Sequence, residues 1–142
     1  IDRAISPYPY FELSTIEVER AGNTYTSETL QLLNQQNPQI HYYFIMGADS
    51  LFHIETWKDP EIIFSLSTLV CAVRDEYNHD DLEKKRIELV QKGADIVLLN
   101  MPEINISSSD IRKRVSQKLP ISSLVPDDVA KYILREHLYE GN

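Results

Sequence analysis

Cysteine is nearly absent from this chain: Cys71 is the only one in 142 residues. A lone cysteine excludes an intramolecular disulfide and fits a reducing compartment, with cytoplasmic location the expectation. Cys71 lies in an apolar run, where a thiol acts as a small core side chain. Glycine is also sparse, at four residues, and they never cluster. No Walker motif or other glycine-rich phosphate loop can be built from them. Positive charge is short: 14 Lys and Arg stand against 22 Asp and Glu, a net charge of −8. That balance argues against nucleic acid as a partner, since a broad grip on it needs a basic surface. A few local cations still suffice for a small anionic substrate. No apolar stretch approaches the ~20 residues of a membrane span, so no membrane partner is expected. No stretch reads as a signal peptide either.

The histidines His41, His53, His79 and His137 are scattered. They form no metal-ligand pair, and no metal-binding set of side chains is expected. There is no C-x-x-C pair and no Ser–His–Asp signature. The match to a glycosylation sequon at Asn105-Ile106-Ser107 is discounted, because nothing suggests secretion.

What remains reads as alternating strands and helices. Residues 10–19 alternate around Phe11, Leu13, Ile16 and Val18 and read as extended. After the Ala21-Gly22-Asn23 turn, Thr26 or a neighbouring hydroxyl is placed to cap a helix running to about Gln36. Ile40 to Met46 is dense in aromatic and β-branched residues and reads as a buried strand. A short helical turn follows over Asp49–Ile54, and Asp59-Pro60 starts another helix, with Ile62, Ile63 and Leu66 inward. Thr68 to Val73 and Asp95 to Leu99 read as two further strands. Between them a charged helix over 80–92 shows Leu82, Ile87 and Val90 to the core. Ser107–Gln117 and Pro126–His137 are the last helices, the second with Val129, Ile133 and Leu134 inward. Strand–helix alternation predicts an α/β fold with a parallel sheet and helices on both faces. With no repeat and no low-complexity linker, residues 1–142 read as a single domain. Three strands are few for an open sheet, and the chain starts at Ile1 rather than Met. Both features suggest a fragment whose first strand–helix unit is missing.

Four segments and one further arginine carry chemistry. In Ile106-Ser107-Ser108-Ser109-Asp110-Ile111-Arg112, three hydroxyls open a helix and an arginine follows within a turn. Ser107 and Asp110 fit a capping box. Ser108 and Ser109 share a helical face with Arg112. Free N–H groups, the positive dipole end and a guanidinium suit a phosphate. Taken alone, the same residues also make a serine-rich cap with a solvated arginine. In Met46-Gly47-Ala48-Asp49-Ser50, a glycine ends a strand where ligands of open α/β sheets lie. Asp49 is suited to ribose hydroxyls there, or simply to capping a helix. Trp57, the only tryptophan, offers a flat ring to a heterocycle or to ordinary packing. The turn Gly22-Asn23-Thr24-Tyr25-Thr26 presents N–H groups suited to a carboxylate or amide, or a plain capped helix. Arg74 ends the second strand, placed to reach a phosphate or a base, or to pair with Asp75.

In order along the chain, five segments combine. They are Glu19-Arg20-Ala21-Gly22-Asn23-Thr24-Tyr25-Thr26, Tyr43 through Leu51 with Met46-Gly47-Ala48-Asp49, Trp57, Ile106–Arg112, and Leu124-Val125-Pro126 with Leu138-Tyr139-Glu140. With these the sequence resembles the bacterial nicotinate-nucleotide adenylyltransferases over about residues 10–140. The resemblance implies a Rossmann-like nucleotidyltransferase fold. It also implies adenylyl transfer from ATP to nicotinate mononucleotide with Mg²⁺ in NAD biosynthesis. By matching motif, Ser107, Ser108 and Arg112 would contact ATP phosphates, Gly47 and Asp49 a nucleotide sugar, and Arg74 the nucleotide. Thr26 and the backbone at Trp57 and Lys58 would take the nicotinate carboxylate, with the Trp57 ring on the pyridine. The family's N-terminal G-x-F-x-P-x-H-x-G-H motif is absent, so the catalytic residues stay unassigned and the chain as given is expected to be nearly inactive. Ser109 stands where the family often has threonine. Alternatives are another acceptor (nicotinamide mononucleotide or phosphopantetheine) or a non-catalytic nucleotide-binding module. A homo-oligomer is compatible with the sequence.

Overall fold

The structure is a computed structural model describing residues 1–73, 78–102 and 104–140. In chain order the elements are α1 (Asp2–Ile5), α2 (Thr26–Gln36), β1 (Tyr42–Gly47), α3 (Ala48–His53), a 3₁₀ turn (Ile54–Thr56), α4 (Pro60–Leu66), β2 (Ser67–Val73), α5 (His79–Gln91), β3 (Asp95–Asn100), α6 (Ser108–Ser116) and α7 (Asp127–Arg135). They fall into two compact units, residues 15–103 and residues 1–14 with 104–142.

The larger unit is a parallel three-stranded sheet in the order β1-β2-β3. Parallel neighbours need crossovers, and α3–α4 and α5 supply them. Phe44, Leu69 and Ile96 lie side by side in register. With Met46, Cys71 and Val73 they form one sheet face, packed against Leu51, Ile54, Ile63, Leu82 and Leu89. Cys71 is fully buried, and burial pushes its thiol pKa up, away from the reactive thiolate. On the opposite face Thr68 is buried, with Tyr43 and Asp95 beside it in register, while Tyr43, Ile45, Val97 and Leu99 are exposed. Its hydroxyl donates to Asp95 Oδ2 at 2.6 Å and meets His41 Nε2 at 2.8 Å, a polar chain at the amino end of the strands.

Several local expectations shift. Residues 10–19 form no strand. Phe11 and Val18 stay exposed, and Thr15 instead closes a turn by accepting at its carbonyl from the N–H groups of Val18 and Glu19. An alternating pattern becomes a strand only when it pairs with a sheet edge, and the described sheet consists of β1, β2 and β3. Thr26 does not cap α2: it is the first helical residue, and Tyr25 at the cap position offers no side-chain bond. Along α5 the buried stripe is Leu82 and Leu89, two turns apart, while Ile87 and Val90 lie exposed off that stripe. On α7 Ile133 is buried and Leu134, one residue on, points outward.

The 3₁₀ turn is tied to α5 by charge. Glu55 bonds both Lys85 and Lys92, and Glu88 joins the same lysines at 3.2 and 2.8 Å. The ammonium groups, Lys85 first, hold the Glu55 carboxyl down from 4.5 to about 2. Such a group stabilises the fold above its ordinary carboxylate pKa, and the contribution fades as pH falls toward the folded value. Glu55→Gln is therefore expected to lower the melting temperature slightly at pH 7. The difference from the parent should shrink below pH 4.5 and vanish near pH 2. A pH-independent difference in thermal scans would exclude this origin.

The smaller unit packs Val115, Ile121 and Ile133 together, with Ile111, Val125, Val129 and Leu138 around them. Arg3 of α1 lies over the Tyr132 ring of α7 at 4.9 Å.

Candidate functional site

Within the larger unit, two segments face each other across a cleft of about 350 Å³. Thr24, Tyr25 and Thr26 make one wall, Thr56, Trp57 and Lys58 the other, and Ile63 lines it between them. The volume is at the small end for ligand pockets and suits one heterocycle and its substituents. Gly22, at φ +86°, turns the chain into the first wall, a conformation side chains resist. The wall ends as the N-terminus of α2. Because Tyr25 gives no side-chain cap, the first-turn N–H groups keep their donor capacity, and the dipole end favours negative charge. Ser27, the second residue of the helix, is only 1% exposed and its hydroxyl has no partner among the described residues.

The second wall follows the 3₁₀ turn. Trp57 N–H donates to Ile54 carbonyl at 3.0 Å, which closes that turn and fixes where the indole leaves the chain. Its ring meets Phe44 at 6.0 Å between centroids and 78° between planes, an edge-to-face contact. Among the described residues no ring stacks parallel on the indole. Lys58 Nζ sits over the Tyr25 ring at 4.5 Å from its centroid and bonds Glu28 Oε1. Arg20 bonds Glu28 Oε2 and donates to Thr29 Oγ1 at 3.1 Å. The hydrogen bond from Lys58 leads in holding the Glu28 carboxyl below its ordinary range, and Glu28 in turn raises Lys58. Thr26, Trp57 and Lys58, singled out from sequence, thus share one cleft. Tyr25 stood within the turn read as a carboxylate site, while Thr56, Ile63 and Glu28 were not singled out for the site. Only the packing of α2 on α4 brings them together, and no local pattern announces it.

Gly47 and Asp49 stand at the carboxyl end of β1, both exposed. Gly47 has φ −84°, so no turn demands glycine there. A Cβ added at Gly47 would meet nothing within 4 Å, so no protein neighbour demands it either. The open space lies on the side where ligands of such sheets bind. Arg74 lies outside the described residues.

In the smaller unit α6 begins as the sequence implies. Ser107 is the N-cap, and its Oγ accepts from Asp110 N–H at 3.1 Å. The capping box is half made: the Asp110 carboxylate accepts from Arg114 Nε at 2.9 Å, one turn on. Arg112 reaches back to Ser109 Oγ at 3.3 Å, so serine and guanidinium do share a face. Ser107, Ser108, Ser109 and Arg112 are all exposed, so hydroxyls, N–H groups and one cation are open to an anion.

A cytidylyltransferase-like family model matches residues 1–114. A probable nicotinate-nucleotide adenylyltransferase of Lachnoclostridium phytofermentans is 40% identical over 140 residues, which is 98% of this chain and 70% of that one. The Streptomyces coelicolor protein of the same description is 40% identical over 133 residues, covering 94% and 67%. Among solved structures, Plasmodium falciparum nicotinic acid mononucleotide adenylyltransferase, complexed with APC, superposes with a TM-score of 0.64 at 22% identity. That match covers 86% of this chain and 61% of the other. The parallel sheet with its helices is thus the Rossmann-like nucleotidyltransferase fold. Within that class, the chain belongs to the nicotinate-nucleotide adenylyltransferase family. It spans about two thirds of the length of these relatives.

Proposed function

We propose that the protein transfers the adenylyl group of ATP to nicotinate mononucleotide, releasing pyrophosphate and forming nicotinate adenine dinucleotide. The observation that carries this reading is the cleft of the larger unit. There the only tryptophan faces an uncapped helix N-terminus across a space sized for one heterocycle. A pyridine with a carboxylate matches both walls: the ring lies on Trp57 and the anion meets N–H groups near Thr26 and at Lys58, the Trp57 backbone N–H being already bonded to the Ile54 carbonyl. Donors favour the acid over the amide. A P. falciparum relative of the same fold was solved with NaAD.

In this reading Ser107, Ser108 and Arg112 hold ATP phosphates, Gly47 and Asp49 a nucleotide sugar, and Arg74 the nucleotide. A phosphate oxygen of the mononucleotide attacks the α-phosphorus of ATP. The new P–O bond forms as the bond to the β,γ-pyrophosphate breaks, so no covalent enzyme intermediate is needed. Catalysis is then positioning and charge stabilisation. The proposed Mg²⁺ would shield phosphate charge. Among the described residues no group of three His, Cys, Asp or Glu side chains is placed to hold a metal. In this reading the ion travels with the triphosphate. We place the protein in the cytoplasm, on its single buried cysteine. None of the described helices is long and apolar enough to cross a membrane.

The test is pyrophosphate release by the protein expressed from its full reading frame, with ATP, nicotinate mononucleotide and Mg²⁺ at saturation. No release overturns the reading, and nucleotide binding without release would favour a non-catalytic module. Arg112→Ala is expected to lower kcat/KM for ATP about 10- to 100-fold, the value of losing charge-assisted bonds to phosphate. KM for the mononucleotide should hold. Equal losses toward both substrates would remove Arg112 from the ATP phosphates.

A further inference from the structure

We infer that Glu28 is a positioning residue for the mononucleotide: it clasps Lys58 and so fixes the spacing between the two walls of the cleft. The inference rests on the proposed function for the identity of the ligand, though not for the clasp itself. The walls come from segments about thirty positions apart, and Lys58 and Glu28 are separated by 30. Nothing covalent near the cleft sets their distance. Two contacts of Lys58 cross the gap, one to the Glu28 carboxylate and one to the Tyr25 ring face. Both acceptors belong to the α2 side: Tyr25 at the cap position and Glu28 in the first turn. Glu28 is itself anchored, because Arg20 bonds its other oxygen and also bonds Thr29 on the same helix. The carboxylate therefore has little freedom, and it transmits the position of α2 to the segment carrying Trp57.

The same arrangement decides what charge the cleft shows. Lys58 is 42% exposed and Glu28 31%, so the pair is partly solvated and adds modestly to stability. Its geometric effect is larger. With its ammonium occupied by Glu28, Lys58 does not swing across the cleft mouth. An incoming anion meets backbone N–H groups held at one separation. Oriented donors at fixed spacing select a planar carboxylate more sharply than a mobile ammonium does.

Glu28→Gln in the full-reading-frame protein tests this. It is expected to raise KM for nicotinate mononucleotide about fivefold, with kcat and KM for ATP little changed. Lys58→Met should cause a loss of its own. The double variant should be no worse than the worse single one, because both break the same tie. Glu28→Asp should restore part of the loss. A ligand-free readout separates the clasp from the substrate assignment. Trp57, the only tryptophan, should emit further to the red and be quenched more readily by acrylamide in Glu28→Gln, with the melting temperature lowered only slightly. Unchanged Trp57 emission, or additive effects of the two substitutions on KM, would overturn the clasp. If Trp57 responds but no dinucleotide forms with the parent protein, the clasp stands and the substrate assignment falls.

Discussion

Trp57→Ala is expected to raise KM for nicotinate mononucleotide about tenfold or more while leaving KM for ATP near its parent value. An aromatic platform under a heterocycle contributes about 1–3 kcal/mol when removed to alanine, which spans roughly 5- to 150-fold in affinity. The indole is positioned for that role. The bond from the Trp57 backbone N–H to the Ile54 carbonyl fixes the chain there, and the edge-to-face contact with Phe44 fixes the ring. Trp57 is also partly packed against the core, so some stability is lost with it. The comparison that decides is Trp57→Phe, which keeps an aromatic face and should recover most of the mononucleotide KM. If alanine and phenylalanine variants lose equally, or if KM for ATP rises as much as that for the mononucleotide, Trp57 is packing alone. In that case the pyridine lies elsewhere.

The parts legible in sequence were those governed by short-range rules. Three parallel strands with intervening helices followed from apolar runs separated by helical periods. The end of α2 at Asn37, ahead of Pro38, and the start of α4 at Pro60 followed from proline geometry. Ser107 as the cap of α6 followed from hydroxyl spacing. The misreadings have one cause: a pattern shows that a face is apolar, but not which neighbour covers it. The uninterrupted run Ile40 to Met46 looks buried throughout. Yet only Met46 is buried, because the alternation of a strand sends Tyr43 and Ile45 to the other face. Ile87 and Val90 look like core on α5 until Leu82 and Leu89 claim the inner stripe. The site divides the same way. Trp57 and Thr26 stood out as residue types in suggestive places. Glu28 did not, since its meaning comes from Lys58 and Arg20, partners brought to it only by folding.

Leu69→Ala should be among the most destabilising single changes in the chain, at about 3 kcal/mol, or roughly 10 °C in melting temperature. Leu69 is fully buried on the central strand, with Phe44 and Ile96 beside it in register and the α3–α5 helices packed over them. Truncation there removes transfer energy and leaves a cavity whose walls are strands held by hydrogen bonds on both sides, so little collapse is available. Leu99 is the control. It is also a leucine in the sheet, but it lies on the opposite face of β3 and is 46% exposed. Leu99→Ala should cost less than about 1 kcal/mol, because half of its surface already meets water. Chemical denaturation of the two variants measures the difference directly, with unchanged m-values showing that the same transition is compared. A wide gap between them is what a sheet with one packed face requires. Equal losses would mean that Leu99 is covered as well as Leu69.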